Sequence, residues 1–108
     1  MTTVAAIDCG TNAVRMLIMD RDAQGVDHEV LRIMRTVRLG EGVDSTGLLS
    51  EAALGRTFAA LDEYAHLLRV NEVDKVRMVA TSATRDAANR EQFVAGVHER
   101  LGVQPEVI

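Results

Sequence analysis

Several residue types are scarce in this sequence, and its net charge is negative. Its 108 residues include one cysteine, one proline, one lysine and no tryptophan, and only 3% are aromatic. A single cysteine cannot form an internal disulfide, so folding does not depend on oxidation. The net charge of −4 argues against a nucleic-acid partner, because surfaces that bind nucleic acids are basic.

Hydrophobic runs are short as well. No stretch approaches the ~20 apolar residues that cross a bilayer. The N-terminal run is broken at Asp8 and has no basic residue before it, unlike a secretory signal peptide. We therefore expect a cytoplasmic protein without a membrane partner. Apolar residues still make up 47% of the chain, enough to bury a core, and the absence of a linker indicates one structural unit.

The first forty residues have the pattern of three consecutive strands. Residues 4–7 and 14–19 are apolar runs, and residues 28–39 alternate between apolar and polar side chains. The connections between these segments are short. This arrangement predicts an antiparallel meander.

Helices and strands alternate in the rest of the chain. Ser50 is a favourable N-cap, and apolar residues then recur at helical spacing to about residue 69. Residues 76–80 form a short apolar run typical of a buried strand. Asn89, followed three residues later by Gln92, resembles a capping box at the start of a second helix.

The chain ends within an apolar segment. Gly102 ends the second helix, and residues 103–108 have the pattern of a fifth strand. The order β-β-β-α-β-α-β predicts an α/β fold in which helices pack on a mixed sheet. Because no element follows to cover the last strand, we expect either that the natural protein continues or that the chain is a fragment.

The turn between the first two strands is the first candidate site. Gly10 lets the backbone approach a ligand and can adopt conformations denied to other residues. The amides and side chains of Thr11 and Asn12 can donate hydrogen bonds to phosphate oxygens. Asp8, at the end of the strand, can hold a hydrated Mg²⁺, which prefers one or two carboxylates plus substrate phosphates. The alternative is an ordinary hairpin turn with an Asx-type hydrogen bond.

A hydroxyl-rich loop after the fourth strand, at residues 81–85, is the second candidate. Loops at the carboxyl ends of strands are common ligand sites in α/β sheets. Arg85 carries a rigid fork of donors that matches phosphate. In the alternative reading, the hydroxyls of Ser82 and Thr84 satisfy backbone groups while Arg85 pairs with a surface carboxylate such as Asp86 or Glu91.

Arginine supplies eleven of the twelve basic residues. Arg32 and Arg38 lie on one face of the third predicted strand, with Arg35 opposite. This pattern favours a solvated or charge-protected edge, and a track for a phosphate chain is the alternative. Cys9 lacks a neighbouring group that would make it a nucleophile, and the histidines lack metal-ligand spacing.

Taken together, these segments resemble the N-terminus of the exopolyphosphatase/guanosine pentaphosphate phosphatase (Ppx/GppA) family. The resemblance implies an RNase H-like lobe of the actin-like ATPase superfamily, with the order β-β-β-α-β-α-β truncated before the last helix. Residues 1–108 would then be the N-terminal portion of the first of two lobes. The matching stretches are residues 6–12, 37–42, 48–54 and 79–87, and Asn89.

The resemblance also implies an enzyme that hydrolyses acid anhydrides with Mg²⁺ and forms a homodimer at full length. Gly10, Thr11 and Asn12 match phosphate contacts, and Asp8 matches a metal or phosphate position. Arg85 matches the arginine that holds the terminal phosphoryl group and stabilises its charge in the transition state. The expected activity is removal of terminal phosphates from inorganic polyphosphate.

Two departures and one gap qualify the resemblance. Ala13 replaces a frequent serine, and Cys9 replaces a frequent aliphatic residue. The family places its catalytic glutamate and a second glycine-rich phosphate loop beyond the last strand, where this chain has no residues. We therefore expect residues 1–108 alone to be inactive, and to self-associate through sheet surface that the final helix would cover.

Other activities stay open at this point. Guanosine pentaphosphate is an alternative substrate, although the few aromatic residues lie on predicted helices and offer no obvious platform for a base. A second alternative is a module that senses guanosine tetraphosphate without hydrolysing it. An ATP-dependent kinase of the same superfamily is the third, and the loops at residues 40–42 and 81–85 argue against it.

Overall fold

Three strands open the chain and form the antiparallel meander that the sequence predicts. They are β1 (Thr2–Cys9), β2 (Ala13–Arg21) and β3 (Asp27–Thr36) in the computed structural model, which describes residues 2–108. β1 pairs with β2 along its full length, and β2 pairs with β3 with a register shift between Ile18 and Met19. A register shift of this kind is typical of a β-bulge, a feature common on edge strands such as β3.

Helices alternate with the two remaining strands. The elements that follow β3 are α1 (Val43–Thr46), α2 (Glu51–Val70), β4 (Lys75–Ala80), α3 (Ser82–Asp86), α4 (Arg90–Leu101) and β5 (Glu106–Val107). β4 is parallel to β1 and β5 is parallel to β4, so the sheet is mixed and has the strand order β3-β2-β1-β4-β5. The predicted order of the main elements is confirmed. No helix within residues 2–108 is both long and apolar enough to cross a membrane.

Alternating side chains give the sheet two different faces. On one face Ile7, Met16 and Met78 are buried in a single apolar core together with Leu61 of α2 and Phe93 of α4. The opposite face, called the open face below, carries no helix among the described residues. It forms a concavity of about 630 Å³, and its outward-pointing residues include Ala6, Asp8, Arg15, Leu17, Arg32, Met34, Arg77 and Val79.

The two long helices contact each other through a small residue. A β-carbon on Gly96 of α4 would collide with the ring of Phe58 of α2, so only glycine permits this close approach. The Phe58 ring also lies under the Arg100 guanidinium, 4.2 Å from its centroid. The start of α2 follows the prediction, because Ser50 Oγ accepts a hydrogen bond from Ala53 N at 3.0 Å.

Three local predictions were wrong. β3 ends at Thr36 and not at residue 39, because Arg38 adopts a left-handed conformation with φ 50°. β5 is limited to Glu106–Val107. The predicted loop at 81–85 contains most of the short helix α3, and the short helix α1 was not predicted.

The capping box predicted at Asn89 does not form. Its side chain makes no cap bond to α4. It instead accepts from the backbone N of Leu49 at 2.8 Å and donates to the Leu49 carbonyl at 3.0 Å. Asn89 therefore ties α4 to the segment before α2, a contact between residues forty positions apart that helix-start patterns do not contain.

Candidate functional site

The turn between β1 and β2 is pinned by backbone hydrogen bonds. Gly10 N donates to Ala13 O at 3.0 Å and closes the turn. The carbonyl oxygen of Asn12 accepts two hydrogen bonds, from Val37 N at 2.9 Å and Arg38 N at 2.8 Å. The turn is therefore held by the segment after β3, while the side chains at positions 11 and 12 stay exposed.

Gly40 completes this support, and sequence reasoning did not identify it as part of the site. Its amide donates to the Thr11 carbonyl at 2.9 Å, and a β-carbon at position 40 would collide with Thr11 Cγ2. The one sequence signal for Gly40 was its position within residues 37–42, a stretch that matches the family. Gly10 itself does not need a special conformation, since its φ is not positive and a β-carbon there would meet only Ala13 O at 3.6 Å. The turn therefore does not use the conformational freedom of Gly10.

The second candidate loop lies beside the first because β4 runs parallel to β1 and both strands end at the same edge of the sheet. Cys9 pairs with Ala80, and Thr81 N donates to Cys9 O at 3.2 Å. As a result the hydroxyl oxygens of Thr11 and Ser82 lie 3.4 Å apart. Segments about seventy residues apart in the sequence thus form one polar cluster.

Arg85 lies on α3, next to this cluster. Its backbone N donates to Thr81 O at 3.0 Å, and its side chain is half exposed. The guanidinium contacts Asp86 Oδ1 at 3.3 Å, and Nη1 donates to Ile108 O at 3.1 Å. The pairing with Asp86 is the one that the alternative reading anticipated. Thr84 is fully buried, and its hydroxyl has no partner within residues 2–108, so it does not satisfy a backbone group.

Asp8 is exposed on the open face, directly opposite Arg15 of β2. No group of three or more His, Cys, Asp or Glu side chains that could hold a metal ion occurs within the described part of the chain. The residues therefore do not form a complete metal centre. They could bind Mg²⁺ only if the ion keeps several water ligands and is coordinated by one carboxylate together with substrate phosphates.

Cys9 is a buried free cysteine. It is 1% exposed, and its burial, together with the nearby Asp8 carboxylate, raises the pKa of the thiol from 9.0 to about 12. The thiolate, which is the nucleophile, is therefore not populated near neutral pH.

Both arginines of β3 are engaged with carboxylates. Arg35 donates to both carboxylate oxygens of Glu63 on α2, at 2.6 and 3.2 Å. Arg32 donates to Glu29 at 2.9 Å. These pairings fit a charge-protected edge rather than a phosphate track along the strand.

Known proteins share this arrangement of elements. A model of the Ppx/GppA phosphatase family matches residues 17–108. Exopolyphosphatase 2 of Mycobacterium tuberculosis is 51% identical over 105 residues, which cover 94% of this chain and 33% of that protein. The crystal structure of an exopolyphosphatase-like protein superposes with a TM-score of 0.92 at 50% identity, over 99% of this chain and 32% of that one.

A Ppx/GppA family member from Aquifex aeolicus gives a TM-score of 0.93 at 36% identity, over 99% of this chain and 35% of that one. The chain spans about a third of the length of each of these relatives. The superpositions confirm the predicted α/β fold with its mixed sheet. On the family match and these identities, the chain belongs to the Ppx/GppA phosphatase family.

Proposed function

We propose that the complete protein containing this chain hydrolyses the terminal phosphoanhydride bonds of inorganic polyphosphate. The observation that carries the proposal is the approach of the β1–β2 turn to the loop after β4, with the Thr11 and Ser82 hydroxyls 3.4 Å apart. Two hydroxyls at one sheet edge, beside an arginine, form a surface suited to phosphate oxygens. The names of the relatives, which are exopolyphosphatases, support the same substrate.

In this proposal Gly10, Thr11 and Asn12 bind phosphate oxygens, and Arg85 binds the terminal phosphoryl group. Phosphoryl transfer is catalysed mainly by positioning and by stabilising the charge of the transition state. The Arg85 guanidinium suits that role because its contact with Asp86 is between two half-exposed side chains. Such pairs contribute little stability, so a phosphate can replace the carboxylate.

Asp8 would be the carboxylate ligand of Mg²⁺, with water and substrate phosphates completing the coordination. When bound, the ion would neutralise part of the negative charge of the phosphate chain. Arg15, opposite Asp8 on β2, is an additional positive charge on the same face of the sheet. The role of this chain's own residues is thus to orient the phosphate chain and to supply positive charge around it.

The remaining two-thirds of the protein would supply the base that activates water and the opposing phosphate contacts. We regard residues 1–108 as the N-terminal portion of the first of two lobes, inactive alone. A cytoplasmic homodimer belongs to the same proposal, and sedimentation of the complete protein tests the dimer. The buried, unpaired Cys9 is compatible with a reducing compartment.

Guanosine pentaphosphate is a less favoured substrate because no aromatic side chain is available to stack on a base within residues 2–108. Tyr64 and Phe93 are fully buried in the core. Phe58 stacks on Phe93 and is covered by Arg100. A nucleotide would need its base site elsewhere in the complete protein.

The test is phosphate release by the complete protein from long-chain polyphosphate and from guanosine pentaphosphate, each with Mg²⁺. We expect release from polyphosphate and its collapse in Arg85→Ala. Arg69→Ala is the matched control, because it removes the same charge far from the candidate site. Arg69 lies at the end of α2, and the segment that follows α2 pairs through Asp74 with Thr3, at the end of β1 opposite the turn. Nucleotide binding without any phosphate release would support a sensor instead.

A further inference from the structure

Arg38 has an unusual backbone at the edge of the candidate site. Its φ of 50° lies in the left-handed region, which it shares with Glu72 alone among the described non-glycine residues. Side chains with a β-carbon seldom adopt this conformation, and observed outliers of this kind concentrate at functional sites. Arg38 N donates to Asn12 O at 2.8 Å, so the strained residue directly adjoins the phosphate-binding turn.

The surrounding structure holds this conformation in place. Arg56 of α2 reaches across and donates from Nε to the Val37 carbonyl at 2.8 Å and from Nη2 to the Arg38 carbonyl at 3.2 Å. With the bond to Asn12, both backbone groups of Arg38 are engaged. The conformation is therefore fixed from two sides, as a stored strain must be in order to persist.

The Arg38 guanidinium is held less tightly by its carboxylate than those of Arg32 and Arg35 on β3. It is 61% exposed, and its Nη1 lies 3.5 Å from Oε2 of Glu41. The other carboxylate oxygen of Glu41 lies 3.6 Å from Nη2 of Arg56. Arg35, by contrast, makes two short hydrogen bonds to Glu63. A long contact between exposed side chains contributes little stability. The residue whose backbone bonds to the turn thus carries a weakly held cationic fork that an anion can bind.

We propose that Arg38 binds a phosphate of the chain beyond the terminal one and so favours polyphosphate over orthophosphate. The inference rests on the proposed function for its substrate. The guanidinium can donate two parallel hydrogen bonds to a phosphate, with the Glu41 carboxylate released in exchange. Arg85 and the turn hold the terminal group, and Arg38 holds the chain behind it.

The deciding variant is Arg38→Gly in the complete protein. Glycine is the residue best suited to a positive φ, so this change removes the guanidinium without disturbing the backbone. We expect the Kd for long-chain polyphosphate to rise about tenfold, a typical loss for one charged hydrogen-bonding group. The Kd for orthophosphate, which occupies only the terminal position, stays within about twofold. Arg38→Lys keeps the charge and recovers part of the affinity.

Binding is measured by titration with each anion, so that the result does not depend on turnover. Arg85→Ala is the comparison variant, and we expect it to weaken the binding of both polyphosphate and orthophosphate. Unchanged polyphosphate affinity in Arg38→Gly overturns the proposal, as does an equal loss for orthophosphate. If the wild type binds polyphosphate but releases no phosphate, the proposed hydrolysis fails, while loss of binding in Arg38→Gly still supports the role of Arg38.

Discussion

The amide of Gly40 lies 2.9 Å from the carbonyl oxygen of Thr11, and the missing side chain of Gly40 leaves room for Thr11 Cγ2. The two residues belong to segments that the chain brings together only when the turn after β1 folds against the segment after β3. The position of the Thr11 hydroxyl therefore depends on the absence of a β-carbon 29 residues away in the sequence.

Gly40→Ala should impair the site more than the fold. The new methyl collides with Thr11 Cγ2, and the threonine side chain relieves the clash by rotating its hydroxyl away from Ser82. We expect phosphate release by the complete protein to fall about tenfold, the effect of losing roughly one hydrogen bond to a charged group. The measurement is the steady-state rate with polyphosphate, together with the unfolding midpoint.

Two further variants control for that result. Thr11→Ser combined with Gly40→Ala removes the colliding methyl and should restore most of the rate. Gly55→Ala lies on an exposed position of α2 with no neighbouring atom within 4 Å. It should leave the rate unchanged and stabilise the helix by about 0.5–1 kcal/mol. A Gly40→Ala protein with the wild-type rate would contradict the proposed importance of the Thr11 position.

Tyr64→Phe should destabilise the fold at a point close to the site. The Tyr64 hydroxyl is fully buried and donates to the Val14 carbonyl at 2.7 Å. Removing it leaves a buried carbonyl without that donor, at a cost of about 1–3 kcal/mol. Urea unfolding measures the loss. An equal stability for wild type and variant would mean that water or a neighbouring group replaces the hydroxyl.

The predictability of the structure from the sequence was uneven, and the reasons are physical. α2 was predicted almost to the residue, because a local cap at Ser50 and a long apolar stripe agree with each other. The end of β3 was predicted too late in the sequence, because Val37 and Leu39 continue the alternation of apolar and polar side chains and are buried. The left-handed conformation of Arg38 lies between these two buried residues, and hydrogen bonds to Asn12 and from Arg56 hold it.

The site shows the same division. The sequence pointed to the turn at residues 10–12 and to the loop after β4, since small and hydroxyl-bearing residues after strands are local signals. The roles of Gly40, Asn89 and Arg56 arise from contacts between distant segments. Single-sequence patterns hold no information on such contacts.

The Cys9 thiol gives a prediction about pH. Its pKa is about 12 in the folded protein and 9.0 in its ordinary state, so the folded state retains the proton more strongly. The raised pKa therefore adds a contribution to the free energy of unfolding. This contribution is fully present below pH 9 and declines as the pH rises from about 9 towards 12. Cys9→Ala should flatten that part of the profile of unfolding free energy against pH. Iodoacetamide at pH 8 should leave the native thiol unmodified and alkylate it once urea unfolds the chain.

The isolated 108-residue chain should be inactive and should self-associate. Its open face combines exposed apolar residues such as Met34, which is 49% exposed, with the arginines Arg15 and Arg77. Apolar sheet surface of this kind is seldom left in contact with water, and the relatives are about three times longer than this chain. Sedimentation across a range of concentrations should show oligomers, and replacing Met34 and Leu17 with glutamate should return the chain to a monomer. A monomer at high concentration before any substitution would show that charge alone keeps this face in water.

Release of phosphate from polyphosphate by the isolated chain, abolished by Arg85→Ala, would show that the rest of the protein is not needed for catalysis.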